Sequence, residues 1–344
     1  MVTALAARTL GWGIVGYGWV ARDYAAPAIL AAGHAVRAVC DPMPAAREAA
    51  RAALRLEGGA HADLASLLGD PAVDAIYVAT PNHLHRAAVE AAAAAGKPVL
   101  CEKPMAATLA DAEAMAEAAS RAGILLGTAF DQRHHPAHAA MREAVAAGLI
   151  GTPTVIRIAY ACWLGPDWSV TGEGDNWRAD PARAGGGALM DLAPHGLDLA
   201  EYLLREPVQE IAALTQRRVQ PYAVDDGALL IGRTAGGTLV QLHVAYNCPD
   251  ALPRRRLEVL GAAGQIVAEN TMGQDAGGRV THTDAQGRSR PLSVPDADAS
   301  PFARQMAAFA HAIATGDRET FSAARDLHTM RLLHRAYSEG PACR

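Results

Sequence analysis

Asp191 and His195 stand four residues apart, directly behind the glycine run Gly185-Gly186-Gly187. On a helix that spacing puts an acid and an imidazole on one face. The pair suits acid–base chemistry, because imidazole exchanges protons near neutral pH and a carboxylate can orient it or a bound hydroxyl. Lys103 closes the apolar run Pro98-Val99-Leu100-Cys101-Glu102, and a cation beside a reacting oxygen stabilises developing alkoxide charge. Taking a hydride from an alcohol carbon needs a base for the hydroxyl proton and a donor for its oxygen. We therefore expect Lys103, Asp191 and His195 to be catalytic, with His195 the base and Asp191 holding a substrate hydroxyl. Pro194 falls between the last two; it removes a backbone donor and crowds the carbonyl of Met190, so a kink is expected there.

A hydride needs an acceptor, and the N-terminal sequence offers a seat for one. In Gly13-Ile14-Val15-Gly16-Tyr17-Gly18-Trp19-Val20-Ala21, Gly16, Gly18 and Ala21 fill the G-x-G-x-x-G/A pattern of a dinucleotide turn, with Trp19 and Val20 inside it. The first glycine allows the tight turn, the second lets the backbone approach a pyrophosphate, and the small third residue packs helix on strand. The pyrophosphate then meets the positive end of a helix dipole. Asp41 closes the next apolar run, where a carboxylate accepts from both ribose hydroxyls and repels a 2′-phosphate. NAD is expected rather than NADP, with Arg47 placed on the surface of the following helix.

The elements that must position these residues can be read from patterning. Residues 12–15, 35–40, 74–79, 98–102 and 124–128 are short apolar runs bounded by Gly, Pro or Asp, as buried parallel strands are. Between them, residues 20–32, 45–56, 83–95 and 109–122 read as helices, the last with Thr108 at its N-cap. The alternation predicts a doubly wound parallel sheet. After a helix ending near Gly148 the pattern changes. Residues 154–161 read as a strand, a long loop follows, and residues 187–204 form one conspicuous helix. Strand pairs then flank Ala235-Gly236-Gly237 and residues 261–264, and residues 302–314 and 323–338 are helical. The α/β fold expected is a Rossmann domain over residues 1–128 and an α/β domain with a largely antiparallel open sheet over residues 129–344. The second would bind substrate and form oligomers, and the terminal helix would pack back on the first.

Of the residues, 51% are hydrophobic and 19% charged, which excludes wholesale disorder. The net charge of −5 and the absence of basic runs beyond Arg254-Arg255-Arg256, read as a solvated strand start, argue against nucleic acid or an anionic membrane. Cys40, Cys101, Cys162, Cys248 and Cys343 form no CxxC, so a reducing compartment is expected. The glycine turn starts too early to leave room for a signal peptide, and a cytoplasmic location follows. His134, His135 and His138 crowd together, but no acid or cysteine completes a ligand set, so no metal is expected.

Two longer segments carry a resemblance. Ala79-Thr80-Pro81-Asn82-His83-Leu84-His85 with Gly96-Lys97-Pro98-Val99-Leu100-Cys101-Glu102-Lys103-Pro104 resembles the first signature of the Gfo/Idh/MocA oxidoreductases, and residues 185–198 resemble the second. The resemblance implies hydride exchange between nicotinamide and a carbon of a sugar, aminosugar or cyclic polyol, by a homodimer or homotetramer. It places Thr80, Pro81, Asn82, His85, Glu102 and Lys103 at the cofactor, Asn82 beside the nicotinamide and Glu102 on its ribose. It implies a Lys103-Pro104 bond that is often cis. Arg133, Trp177 and Arg178 would join Lys103, Asp191 and His195 at the substrate, and Trp163 and Trp168 could stack on a sugar ring. A redox-neutral glycosidase with bound NAD could use the same residues. A non-catalytic sensor of NAD and sugar is disfavoured, because it has no chemical need of all three catalytic groups.

Overall fold

The structure, a computed structural model, describes residues 8–169 and 175–340; Cys343 lies outside them. The chain divides into two compact units, Met1–Ala129 with Phe302–Leu327, and Phe130–Pro301 with His328–Arg344. The first unit is thus assembled from two separated stretches of chain.

Its sheet contains β1 (Gly11–Val15), β2 (Ala35–Cys40), β3 (Ala60–His61), β4 (Ala75–Val78), β5 (Val99–Cys101) and β6 (Leu126–Thr128), in the order β3-β2-β1-β4-β5-β6. Every pairing is parallel. Strands β1, β4, β5 and β6 are buried along their whole length, which is why they read as unbroken apolar runs rather than alternating ones. The helices are α1 (Ala26–Ala31), α2 (Pro44–Leu54), α3 (Leu64–Leu68), α4 (His85–Ala94) and α5 (Leu109–Ala122). As expected, the Thr108 hydroxyl oxygen accepts from the Asp111 amide to cap α5. The helix expected over residues 20–32 is present with a widened first stretch: a π-helical turn, Ala21–Ala25, runs directly into α1. Pro27 has no N–H to give the preceding turn, and a widened turn accommodates that loss. Two-residue β3 and five-residue α3 are too short to show a period and were not foreseen.

The second unit contains α6 (Pro136–Ala146), β7 (Pro153–Ala161), α7 (Pro181–Ala184), α8 (Ala188–Leu204), β8 (Val208–Gln216), β9 (Gly227–Thr234), β10 (Leu239–Ala245), β11 (Arg255–Gly261), β12 (Gly264–Glu269), β13 (Arg279–Asp284) and β14 (Ser289–Pro291). Its sheet runs β14-β13-β12-β11-β7-β10-β9-β8. All pairings are antiparallel except β7 with β10. Both hairpins fall where the glycine pairs put them; β13 and β14 were missed because their polar residues hide the alternation. Helix α8 lies on one sheet face, so close that a Cβ on Gly196 would come 2.5 Å from Leu242. The helix runs through Pro194 as one element. The Arg254–Arg256 triplet is not uniformly solvated: Arg255 turns its guanidinium over the Tyr160 ring, 6.0 Å from its centroid. Last come α9 (Pro301–Thr315) and α10 (Ala323–Glu339). Phe309 of α9 packs on Trp12 of β1 and on Phe321, completing the core of the first unit.

Candidate active site

At the end of β1 the chain turns through Gly16 at φ +87°, and a Cβ there would sit 2.9 Å from the carbonyl oxygen of Ala79. Only glycine fits so close a turn. The Asp41 carboxylate at the end of β2 is buried and braces it: one oxygen accepts from the Tyr17 amide at 2.8 Å, the other from Met43 at 2.8 Å. Backbone from Gly18 leads straight into the helical turn, with the Arg22 amide donating to the Gly18 carbonyl. A backbone cradle with no room for a side chain, a helix start and a buried acid at the next strand end together fit a nicotinamide dinucleotide. Trp19 and Val20 are half-buried, Trp19 resting edge-on against Tyr24, and Ala21 is fully buried. Arg47 is not a free surface residue; it donates to the carbonyls of Asp41 and Pro42, both at 2.8 Å.

Farther along the same sheet, β4 leads to Thr80, Pro81 and buried Asn82, which opens a short 3₁₀ turn. His85 needs a correction. Expected at the cofactor, it is wholly buried. Its Nε2 lies 2.9 Å from the Thr80 carbonyl, and its Nδ1 3.2 Å from those of Pro104 and Met105. A side chain without accessible surface offers nothing to a ligand directly; His85 ties the loop after β4 to the loop after β5. Burial, foremost, pushes its imidazole below the usual histidine range. Glu102 accepts from the Tyr77 hydroxyl and, at 3.2 Å, from the Lys103 amide. Lys103 itself is half-buried, and its bond to Pro104 is cis.

In the second unit, α8 carries Asp191 and His195, and its start explains the glycine run. The amides of Gly187 and Leu189 donate to the two carboxylate oxygens of buried Asp225, at 2.9 and 2.8 Å, and the Ala188 amide donates to its carbonyl at 3.0 Å. A Cβ on Gly187 would lie 1.9 Å from that carbonyl oxygen, and one on Gly186 2.3 Å from the Tyr337 hydroxyl, which itself donates to Asp225. A carboxylate at a helix N-terminus satisfies orphan amides and complements the dipole. Burial nonetheless pushes the Asp225 carboxyl up, against the hydrogen bonds that pull it down.

Around Asp191 the structure gathers Arg178, Trp168, Trp177 and Tyr246. The Arg178 guanidinium lies over both indoles, 4.4 Å from Trp168 and 4.3 Å from Trp177, with Nε 3.9 Å from the Asp191 carboxylate. Tyr246 is buried, and burial together with the Asp191 charge keeps its hydroxyl protonated. One turn on, the His195 side chain is 5% exposed, with Nδ1 3.5 Å from Oδ1 of Asp131. The rings of Phe130 and Tyr160 stand edge-on to it. Arg133 is not brought to this group: its guanidinium grips Asp198 at 2.7 Å and lies over Tyr202. Trp163 stays exposed, bridged to Asn247.

Two of the three clustered histidines serve other ends. His135 caps α6, its Nδ1 accepting from the Ala137 amide at 3.1 Å. His138 lies between the Gln132 carbonyl and the Thr271 hydroxyl. Among the described residues, no group of three metal-ligating side chains occurs, and no helix is long and apolar enough to cross a membrane. Sequence reasoning missed Asp131, Asp225 and Tyr337. Each lies far from its partner along the chain, and no local spacing announces it.

Residues 10–130 match an oxidoreductase family with an NAD-binding Rossmann fold, and residues 138–267 match the GFO/IDH/MocA C-terminal domain. The chain is 36% identical over 328 residues to the 1,5-anhydro-D-fructose reductase of Ensifer adhaerens, covering 93% of this chain and 95% of that one. It is 32% identical over 215 residues, 61% of each chain, to the myo-inositol 2-dehydrogenase of Thermotoga maritima. Its fold is similar to that of the aldose-aldose oxidoreductase of Caulobacter crescentus complexed with glycerol: TM-score 0.86, 27% identity, 96% of this chain and 98% of that one. A glycine cradle backed by a buried acid, an acid and an imidazole one turn apart on α8, and matches along nearly the whole chain make this protein a member of the GFO/IDH/MocA family of oxidoreductases.

Proposed function

We propose that this oxidoreductase moves a hydride between NAD and a secondary alcohol or ketone carbon of a sugar, aminosugar or cyclic polyol in the cytoplasm. The observation that carries this reading is α8 itself. Asp225 and the glycine run pin its start, and it presents Asp191 beside Arg178 and the Trp168–Trp177 pair. A carboxylate and a guanidinium set among indoles are groups that bind vicinal hydroxyls and the apolar face of a ring. The names of the relatives, a reductase of an anhydro sugar and an inositol dehydrogenase, agree in substrate class.

In the oxidative direction the His195 imidazole accepts the hydroxyl proton, and Asp191 holds that hydroxyl or its neighbour. Lys103 supplies the positive charge that stabilises the developing alkoxide. The turn at Gly16 and Gly18 and the carboxylate of Asp41 hold the dinucleotide, whose nicotinamide, when bound, accepts or returns the hydride. The Asp41 carboxylate favours NAD, since a 2′-phosphate would meet a like charge.

A panel of sugars and polyols followed by NADH absorbance tests the reading. Net NADH formation with one of them is expected; cleavage of a glycoside without net NADH would establish the redox-neutral chemistry instead. His195→Ala should lower kcat by on the order of a hundredfold to ten-thousandfold, abolish the rise of kcat/KM with pH, and leave NAD affinity nearly unchanged. If the pH limb persists in His195→Ala and vanishes in Lys103→Met, the two roles are exchanged. Near-normal turnover in both variants overturns the site.

A further inference from the structure

We infer that Asp131 is the positioning residue of His195: it faces Nδ1, favours the tautomer protonated there, and so leaves Nε2 as the atom that takes the substrate proton. The inference rests on the reading of His195 as the base and adds a residue to it.

Asp131 opens the 3₁₀ turn Asp131–His134 that packs under α8, and it is almost wholly buried. A buried carboxylate is costly without partners on both oxygens. Oδ2 accepts from the Gln132 side-chain amide at 2.8 Å, and Oδ1 faces the His195 Nδ1 at 3.5 Å. The second distance is an ion-pair separation rather than a neutral hydrogen bond. It is also where an imidazolium, once formed, gains most from the charge.

What lies behind Asp131 looks built to hold it. The Gln132 side-chain amide also donates to the Gly273 carbonyl at 2.7 Å. The Gln132 backbone carbonyl lies 2.8 Å from Nδ1 of His138. A carbonyl only accepts, so Nδ1 carries the proton and Nε2 accepts from the Thr271 hydroxyl at 2.9 Å. Burial foremost, with His135 adding to it, pushes His138 down to about 3, so this tautomer is retained at neutral pH. His138 thus holds the Gln132 backbone next to Asp131.

On the far side, the Phe130 and Tyr160 rings limit the tilt of the imidazole. Of the ionisable groups around His195, Tyr160 on β7 stays neutral because burial pushes its phenol far up. Asp191 and Asp198 are on α8 itself, the latter neutralised by Arg133. Asp131 is the carboxylate placed 3.5 Å from Nδ1.

Asp131→Asn keeps the shape and removes the charge. It should lower kcat by about a hundredfold with KM and NAD affinity near wild type. A lost negative charge disfavours imidazolium, so the limb of kcat/KM against pH should move to lower pH. Because Asp131 acts through His195, Asp131→Asn with His195→Ala should lose no more kcat than His195→Ala alone. An unshifted limb with a lowered melting temperature, or additive losses in the double variant, would overturn the inference while leaving His195 the base. A limb that persists in His195→Ala overturns the base reading and this one with it. Should Asp131→Asn fail to fold, nitrogen NMR of the His195 ring in the unmodified chain decides: Nδ1–H is expected, and Nε2–H refutes the assignment.

Discussion

His138 and Asp41 show how single side chains set pH and cofactor dependence. Burial, which penalises the cation, pushes the His138 imidazole from the ordinary histidine range down to about 3 in the folded chain. A histidine whose folded value is depressed contributes stability above its unfolded value and loses it as pH falls through 6.5 toward 3. Denaturant midpoints measured from pH 7.5 down to 4 should therefore decline, by on the order of a few kcal/mol in stability. His138→Asn should flatten that decline while lowering the plateau. Asp41 cannot swing clear of a 2′-phosphate without releasing the Tyr17 and Met43 amides. Like charges forced together cost several kcal/mol, so kcat/KM should favour NAD over NADP by on the order of a hundredfold or more. Asp41→Ser should narrow the ratio, and parity in the unmodified protein would refute the preference.

At the scale of elements, α8 depends on its first turn. Three consecutive amides converge on Asp225, and the approach is possible because residue 187 has no side chain. Gly187→Ala should cost about 1–3 kcal/mol through overpacking, read as a lower melting temperature, and should lower kcat as Asp191 and His195 shift with the helix. A normal melting temperature would mean the Asp225 loop can retreat. The glycine run stood out in the sequence, but neither the close approach that requires it nor what approaches could be read there: Asp225 and Tyr337 come from β9's leading loop and from α10. The helix expected over residues 20–32 is present, and the π turn within it went unread because the apolar spacing survives it, whereas the missing N–H of Pro27 widens the backbone there.

For the molecule as a whole, the second sheet leaves part of one face open among the described residues. Leu214, Leu229, Ile231 and Leu239 are each at least half exposed, and the register brings Leu214 opposite Leu229 on adjacent strands. Apolar side chains grouped on an uncovered sheet face mark a contact surface, and a second copy of this chain is the expected occupant. Light scattering at micromolar concentration should give a dimer or tetramer. Ile231→Arg should shift it toward monomer without unfolding the chain, and a monomeric parent would remove the basis for an oligomer.

The glycine turn, the acid at the end of β2, the buried strands and the Asp191–His195 spacing are local patterns, because pleat, helix period and backbone permissiveness act over a few residues. These were readable from the chain. The partner of each buried polar group was not. That Asp131 meets His195, that Asp225 seats α8, that Arg133 is bound to Asp198 and that His85 joins two loops depend on contacts between distant segments. No spacing encodes such contacts; only the packing of sheet and helices brings the groups together, and the cost of burying a lone polar group then makes the pairing obligatory.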